Sequence, residues 1–520
     1  MPNKAVVQVL SCLIAIIFIA FLGSFVPLAN AQTSLPTLGD GSDLTSSEER
    51  RLGDRIIREL YRDPDYIDDP VLSEYVQTIW QPLMAAAKAR GELSPELDER
   101  FAWEILLGRD RTVNAFALPG GYLGVHLGLI GVVTSPDELA SVLAHELSHV
   151  TQRHISRLIA QQSKQTPLLL GAMILGALAA SKNPGATQAL VVGGQALALQ
   201  NQLNFSRDME READRIGYGL MAPAGFAPQG FVGMFDKLQQ ANRLNDNGSW
   251  PYLRSHPLTT ERMADMQARQ PLGASSVINT TLTAEHAMAA SRASVLANAG
   301  MDALRAVRLE ADSARLAQQP AAKQAGALYG AALAATQLRD FKAAQAYLAR
   351  LRVIVGSSGA AARLTALLAV EMALAADQVT QAMPLMAALS ATAKQRPELM
   401  LAASVAARSG QRALAGEAAQ NLQVWVAEHP TDAGAWQQLA TLYAAQGQTL
   451  RAIRAEAETQ VARLDYAAGV DRLRAAQDLI REGKLGANGG VDHIEASIID
   501  TRKREVELRL KEQTLDKEIN

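Results

Sequence analysis

Cysteine is almost missing from this chain of 520 residues; the single one, Cys12, lies in an apolar opening segment. The remainder has no disulfides or thiolate ligands to draw on, so its stability must come from packing. Aromatic residues are scarce at 5 %, while alanine, leucine and glutamine abound, which favours helix over sheet. An excess of one charge is lacking too: the formal net charge is -3, and no basic block occurs. That excludes the electrostatic footprint of a nucleic-acid binder. After the opening segment, the longest apolar runs are two of about 14 residues, short of the ~20 that a transmembrane helix needs.

What is present begins with an export pattern. Lys4 precedes an apolar stretch, Val9 to Phe25, and Ala29-Asn30-Ala31 offers a small-x-small cleavage site before Gln32. We read residues 1–31 as a cleaved signal peptide, with retention as an inner-membrane anchor as the alternative. A Ser/Thr/Gly-rich linker follows over 32–47. Helical periodicity starts at "SSEERRLGDRIIRELY", with acidic residues in the first turn. "FAWEILLGRDRTVNAFALPGGYLGVHLGLIGVV" has short apolar runs and a Gly120-Gly121 turn, and reads as strands. "SPDELASVLAHELSHVTQRHISRLIAQQ" returns to helix, with Ser135 as N-cap, Pro136 in the first turn and Glu138 completing a capping box.

The chemistry sits in "LAHELSHVTQRH". His145 and His149 are four apart, so on a helix both imidazoles reach one metal, and Glu146 beside them can serve as a base. On a continuous helix His154 turns away from that face and is expected on the surface. The third ligand has to come from elsewhere. In "NFSRDMEREADRIG", Glu210 and Asp214 share a helical face; Glu210 is the ligand candidate and Asp214 the acceptor for a ligand's second ring N–H. Glu212 reads as part of an exposed charged helix. His256 lies in a loop that Pro257 keeps from being helical.

From about residue 286 the chain is alanine-rich and wholly helical in pattern. "WQQLATLYAAQGQTLRA", "LMLAASVAARSGQRALA" and "LYGAALAATQLRDFKAAQAYL" have the spacings of tetratricopeptide units, with a degenerate copy near Leu364 to Leu389. A non-repeating bundle is the alternative. Stacked pairs of this kind form a concave groove. The charged end, "DTRKREVELRLKEQTLDKEIN", reads as a solvated cap.

"HELSHVTQRH", "NAFALPGGYLGVHLGL", "FSRDMEREADRIG" and "RSHPLTTERM" together resemble the motif set of HtpX-like and BepA-like zinc metallopeptidases, a gluzincin family. The likeness covers roughly Ser47 to Met266 closely; an export signal with C-terminal repeats looks like the BepA-like branch. The resemblance implies an α+β, mostly helical chain: a peptidase domain with a small sheet over 48–285, an α-solenoid over 286–480 and a charged tail over 481–520. It implies one Zn2+ per chain held by His145, His149 and Glu210, with Glu146 as catalytic base. It gives His256 two competing roles, fourth ligand of a latent site or oxyanion stabiliser. Gly121, Tyr122, Leu123 and Gly124 are expected to form an edge strand that takes peptide by β-augmentation. Arg262 is a candidate for substrate binding, against the plainer expectation of a structural ion pair. His126 is expected at the surface.

The implied setting is the periplasm, peripheral to the outer membrane. The implied partners are misassembled or unfolded envelope proteins and the outer-membrane β-barrel assembly machinery. A second reading makes the chain chiefly a repeat-based chaperone or adaptor with a latent zinc site. Residues 167–200 read as an apolar hairpin that covers the active site, touches a membrane surface, or packs in the core.

Overall fold

The computed structural model describes residues 44–161, 206–243, 249–269, 282–390, 395–482 and 492–518. The export signal, most of the linker and the 167–200 hairpin lie outside the described residues. No helix among the described residues is long and apolar enough to cross a membrane.

The first part of the described chain, 44–269, is α+β. Helix α1 (Ser46–Leu60) starts at a full capping box between Thr45 and Glu48. β1 (Tyr66–Ile67) and α2 (Pro70–Ala89) follow, the helix capped by Asp69 with proline in its first turn. Next come α3 (Pro95–Arg100), β2 (Glu104–Gly108), β3 (Ala115–Leu118), β4 (Tyr122–His126) and α4 (Leu127–Val132). The sheet order is β1-β2-β4-β3, with β2 and β4 parallel and the outer pairs antiparallel.

That order corrects one expectation. Tyr122, Leu123 and Gly124 are on an interior strand, paired on both sides, and Gly121 is in the turn before it with φ +85°. The edge beside the histidine helix is β3. Phe116 lies across Gly124, where a Cβ would fall 2.1 Å from the ring, so glycine is what lets these strands pair closely.

The centre of the domain is α5 (Pro136–Thr151), whose Leu139, Ala140, Leu143, Ala144 and Leu147 have no exposed surface. Ser135 caps it as expected, but the Glu138 carboxylate accepts from the Thr134 amide, 2.6 Å away, so the capping box is only half formed. Helices α6 (His154–Gln161), α7 (Arg207–Met221), α8 (Gln229–Arg243), α9 (Tyr252–Ser255) and α10 (Thr260–Ala268) complete the domain.

Helix α11 (Ala284–Ala297) joins the two parts. Its Ala289 and Ala293 pack into the core of the first part, while Met288 and Val295 pack into the first core of the helical repeat region. Four helical hairpins then span 321–355, 359–390, 396–428 and 433–462, and the motif copies named above fall on them in turn. A positive φ recurs within each hairpin, at Arg339, Asp377, Gly410 and Gly447, which marks the same turn four times.

Arginines of this region reach back to the first part of the chain. Arg292 bridges Asp69 and Glu371, Arg363 bridges Glu74 and Glu398, and Arg396 bridges Asp68 and Asp432. The last helix, His493–Glu518, is not wholly solvated: Ile499 and Val506 are fully buried and Arg502 pairs with Glu458. One face of it seals the final core.

Candidate metal centre

Helix α5 presents His145 and His149 one turn apart, both buried, with their Nε2 atoms 3.0 Å from each other. Helix α7 crosses α5 at close range. A Cβ at Gly217 would stand 3.1 Å from the backbone of Ala144 and His145, so a side chain there would push the helices apart. The close crossing delivers Glu210 to the histidines, at 3.5 Å from His145 Nε2 and 3.4 Å from His149 Nε2. His256, just after α9, adds Nδ1 at 2.9 Å from Glu210 Oε1 and 3.3 Å from His145 Nε2. One donor atom from each of His145, His149, Glu210 and His256 lies within 4.8 Å of the others.

These residues fit a zinc ion by their chemistry: three imidazoles and a carboxylate, all buried, converge on one point. The buried acids support the fit. Neither Glu146 oxygen makes a well-formed hydrogen bond among the described residues, and Glu210 is only 1 % exposed. Leaving such groups facing one another without a cation is costly. Burial raises the Glu146 pKa above its ordinary value, which makes it a stronger base than a solvated carboxylate. Burial would also raise Glu210, but its contacts with His256, His145 and His149 hold it well below the usual carboxylate range. Burial pushes His149 well below an ordinary imidazole.

The surroundings orient the donors. Asp214 Oδ1 lies 2.9 Å from His145 Nδ1, beside the ring nitrogen it was expected to face. Arg262 does not face a substrate space. It is 3 % exposed and donates to both Asp214 oxygens, at 2.6 and 2.8 Å, with its Nη1 2.7 Å from Glu210 Oε2 and 2.9 Å from the Pro257 carbonyl. The ion-pair expectation is the one the contacts favour over substrate binding: a guanidinium 3 % exposed and packed against two buried carboxylates is not presented to a peptide. His126 is likewise buried, with Nδ1 2.9 Å from Thr112 Oγ1, away from the metal cluster.

Three further residues escaped the sequence reading. His154 is buried, its Nδ1 2.8 Å from His149 Nδ1 and its Nε2 3.0 Å from Glu212 Oε2. Glu212 is thus partnered inward and not simply solvated. The cause is a break in the helix: Arg153 has φ +53°, α5 ends and α6 restarts at His154. Tyr252 stacks on His256 with ring centroids 4.6 Å apart. A single histidine at an unusual offset was the only signal for the first pair; Tyr252 left none.

The strand edge completes the site. His126 N donates to Asn114 O, so alternate residues of the 113–118 stretch face β4, while Val113, Ala115 and Ala117 turn their amides the other way. The Ala117 amide lies near the Glu146 carboxylate. Val113 exchanges hydrogen bonds with the segment leading to His256, through Ser249 O at 2.8 Å and Tyr252 N at 3.3 Å. The His256 segment therefore docks on the same edge that passes Glu146.

Comparison with known proteins agrees with this geometry. Residues 70–270 match peptidase family M48. The beta-barrel assembly-enhancing protease of Escherichia coli (strain K12) is 28 % identical over 470 residues, covering 89 % of this chain and 91 % of that protein. A Vibrio cholerae protein whose name ends in the same words is 34 % identical over 333 residues, or 62 % of this chain and 64 % of its own length. Mitochondrial metalloendopeptidase OMA1 of Saccharomyces cerevisiae is 28 % identical over 207 residues, 38 % of this chain and 56 % of its own.

Proposed function

We propose, from the match of residues 70–270 to peptidase family M48, that the chain is a zinc-dependent endopeptidase of the periplasm, peripheral to the outer membrane. Its substrates on this reading are unfolded or misassembled envelope proteins, and it acts in the assembly and quality control of outer-membrane β-barrels. The likeness to proteins named for enhancing β-barrel assembly supports the setting. The helical repeats, as tetratricopeptide units, would recruit the assembly machinery and its stalled clients.

The observation that carries the enzymatic reading is the convergence of four buried donors beside Glu146. Zinc held by His145, His149 and Glu210 would supply Lewis acidity, polarising a peptide carbonyl and making water easier to deprotonate. Glu146 takes the proton from the attacking water and passes it to the leaving amine. Ala115 and Ala117 present outward amides to which an extended peptide can add as a strand, with little demand on its sequence. His256 closes the resting site as fourth donor, held there by the docking of its segment at Val113. Swung aside, its imidazole is in reach of the developing oxyanion.

The test is Glu146→Gln in the full chain. It should keep one zinc per chain by metal analysis and lose cleavage of an unfolded β-barrel polypeptide by at least about 100-fold, the scale of general-base loss. A wild-type chain that binds no zinc, or a variant that still cleaves at the wild-type rate, sinks the reading. If envelope-protein assembly is unaffected by Glu146→Gln in cells, the repeats and not the peptidase carry that role.

A further inference from the structure

The contacts of His154 and Glu212 lead outward from the zinc-facing cluster. His149 directs Nε2 at Glu210 and His145, so its Nδ1 faces away from the metal position. A histidine that gives Nε2 to a metal carries its proton on Nδ1, and that N–H needs an acceptor whose orientation sets the ring. The atom 2.8 Å away is His154 Nδ1. To accept there, His154 must carry its own proton on Nε2, which points at Glu212 Oε2 at 3.0 Å. Arg157 donates to the same carboxylate oxygen at 2.8 Å and keeps it an acceptor. Each link fixes the tautomer of the one before it.

The backbone is shaped to permit this. On an unbroken helix, five residues of rotation would carry His154 about 140° from His149. The left-handed Arg153 turns the chain instead, and its side chain is tied down by Glu49 and the Leu44 carbonyl. Non-glycine residues in this region are uncommon and carry a cost, so the turn needs such outside support. Helix α7 meanwhile supplies the Glu210 ligand, the Asp214 that holds His145, and the Glu212 that anchors His154.

We propose that His154 and Glu212 are positioning residues for the zinc site, a carboxylate–histidine–histidine chain that sets the tautomer and ring plane of His149. The proposal rests on the zinc reading above and extends it to two residues that touch neither metal nor substrate. It assigns α7 a carboxylate for each histidine of the HExxH pair: Asp214 to His145 directly, and Glu212 to His149 through His154.

The experiment measures zinc and cobalt affinity of the full chain by competition with a chromophoric chelator, alongside the visible spectrum of the cobalt form and the melting temperature. His154→Ala should weaken metal binding by about 10- to 100-fold, the usual effect of losing an outer partner of a ligand histidine, and change the cobalt spectrum. Glu212→Ala should weaken it in the same direction, and the double variant should be no worse than His154→Ala, since one chain is cut in both. His154→Asn sets an amide oxygen near the place of Nδ1 and should restore most of the affinity; a purely packing role would not be rescued by this smaller side chain. If wild type binds no metal, the zinc reading fails first. If wild type binds zinc and folded His154→Ala binds it within twofold, or if the effects of His154→Ala and Glu212→Ala simply add, the positioning role is overturned.

Discussion

Replacing Arg262 with leucine separates two accounts of this residue. As a substrate contact it would set KM; as the structure has it, the guanidinium is the counter-charge to Asp214 and Glu210 in a site where none of the three is more than 3 % exposed. Removing one partner of a buried ion pair costs about 3–5 kcal/mol, because the charge left behind stays buried. Here Asp214 keeps His145 at 2.9 Å, so the low end, about 3 kcal/mol, is the better figure. For a domain of this size that is a fall in melting temperature of roughly 6–12 °C. Asp214 would also lose the fork that fixes its plane, and with it the orientation of His145. Metal affinity should therefore drop about 10- to 100-fold, and Arg262→Lys, a single point charge, should recover only part of it. Thermal unfolding with and without zinc, metal competition, and the separate kcat and KM for an unfolded polypeptide decide the matter. A variant with unchanged melting and metal affinity but a tenfold higher KM would refute the ion-pair account and restore Arg262 to the substrate.

Arg292→Met should leave Asp69 and Glu371 unneutralised between the peptidase part and the repeats, at about 3–5 kcal/mol. Calorimetry of wild type and variant should show the two parts unfolding further apart in temperature in the variant, and an unaltered trace would count against α11 as the coupling element. Ala117→Pro removes the amide near Glu146 while sparing the pairing with β4, since that amide faces away from the strand. Zinc content should hold and kcat/KM for an unfolded polypeptide should fall at least about tenfold, as expected when a peptide loses its strand-edge partner; retained activity would move the substrate edge elsewhere. His286 is buried between the Tyr75 hydroxyl and the Val133 carbonyl, and burial lowers its pKa. It is therefore neutral in the fold while the unfolded chain takes up a proton near pH 6.5, so its contribution is intact above that pH and lost as pH falls through it. The melting temperature of the zinc-loaded chain should drop more between about pH 7.5 and pH 5.5 than that of His286→Gln; equal drops would exclude His286 as the cause.

The parts of the site that were legible beforehand are those governed by helical periodicity. His145 with His149, and Glu210 with Asp214, sit four apart, and a helix puts such residues on one face whatever surrounds it. The errors have a common source. His154 was placed on the surface by extending α5 as a straight rod, whereas Arg153 turns the chain and buries it. Tyr122 to Gly124 were expected at an edge because the resemblance gave this stretch a peptide-binding role; the parallel pairing of β2 with β4 puts them inside. Arg262 offered a charge, but only the crossing of α7 and α10 shows which carboxylates consume it.

From sequence alone, then, came the histidine pair with the glutamate between them, the second helix with its acids, and a helical repeat region. Each is written in spacings of three to five residues or in a repeating period, and such patterns are local. Tertiary structure decided how α7 closes on α5 at Gly217, which strand edge faces Glu146, and that His256 lies within 3.4 Å of that base. It also decided that His149 leans on His154 and Glu212. Those are contacts between segments far apart in the chain, set by which surfaces pack together, and no local period encodes them.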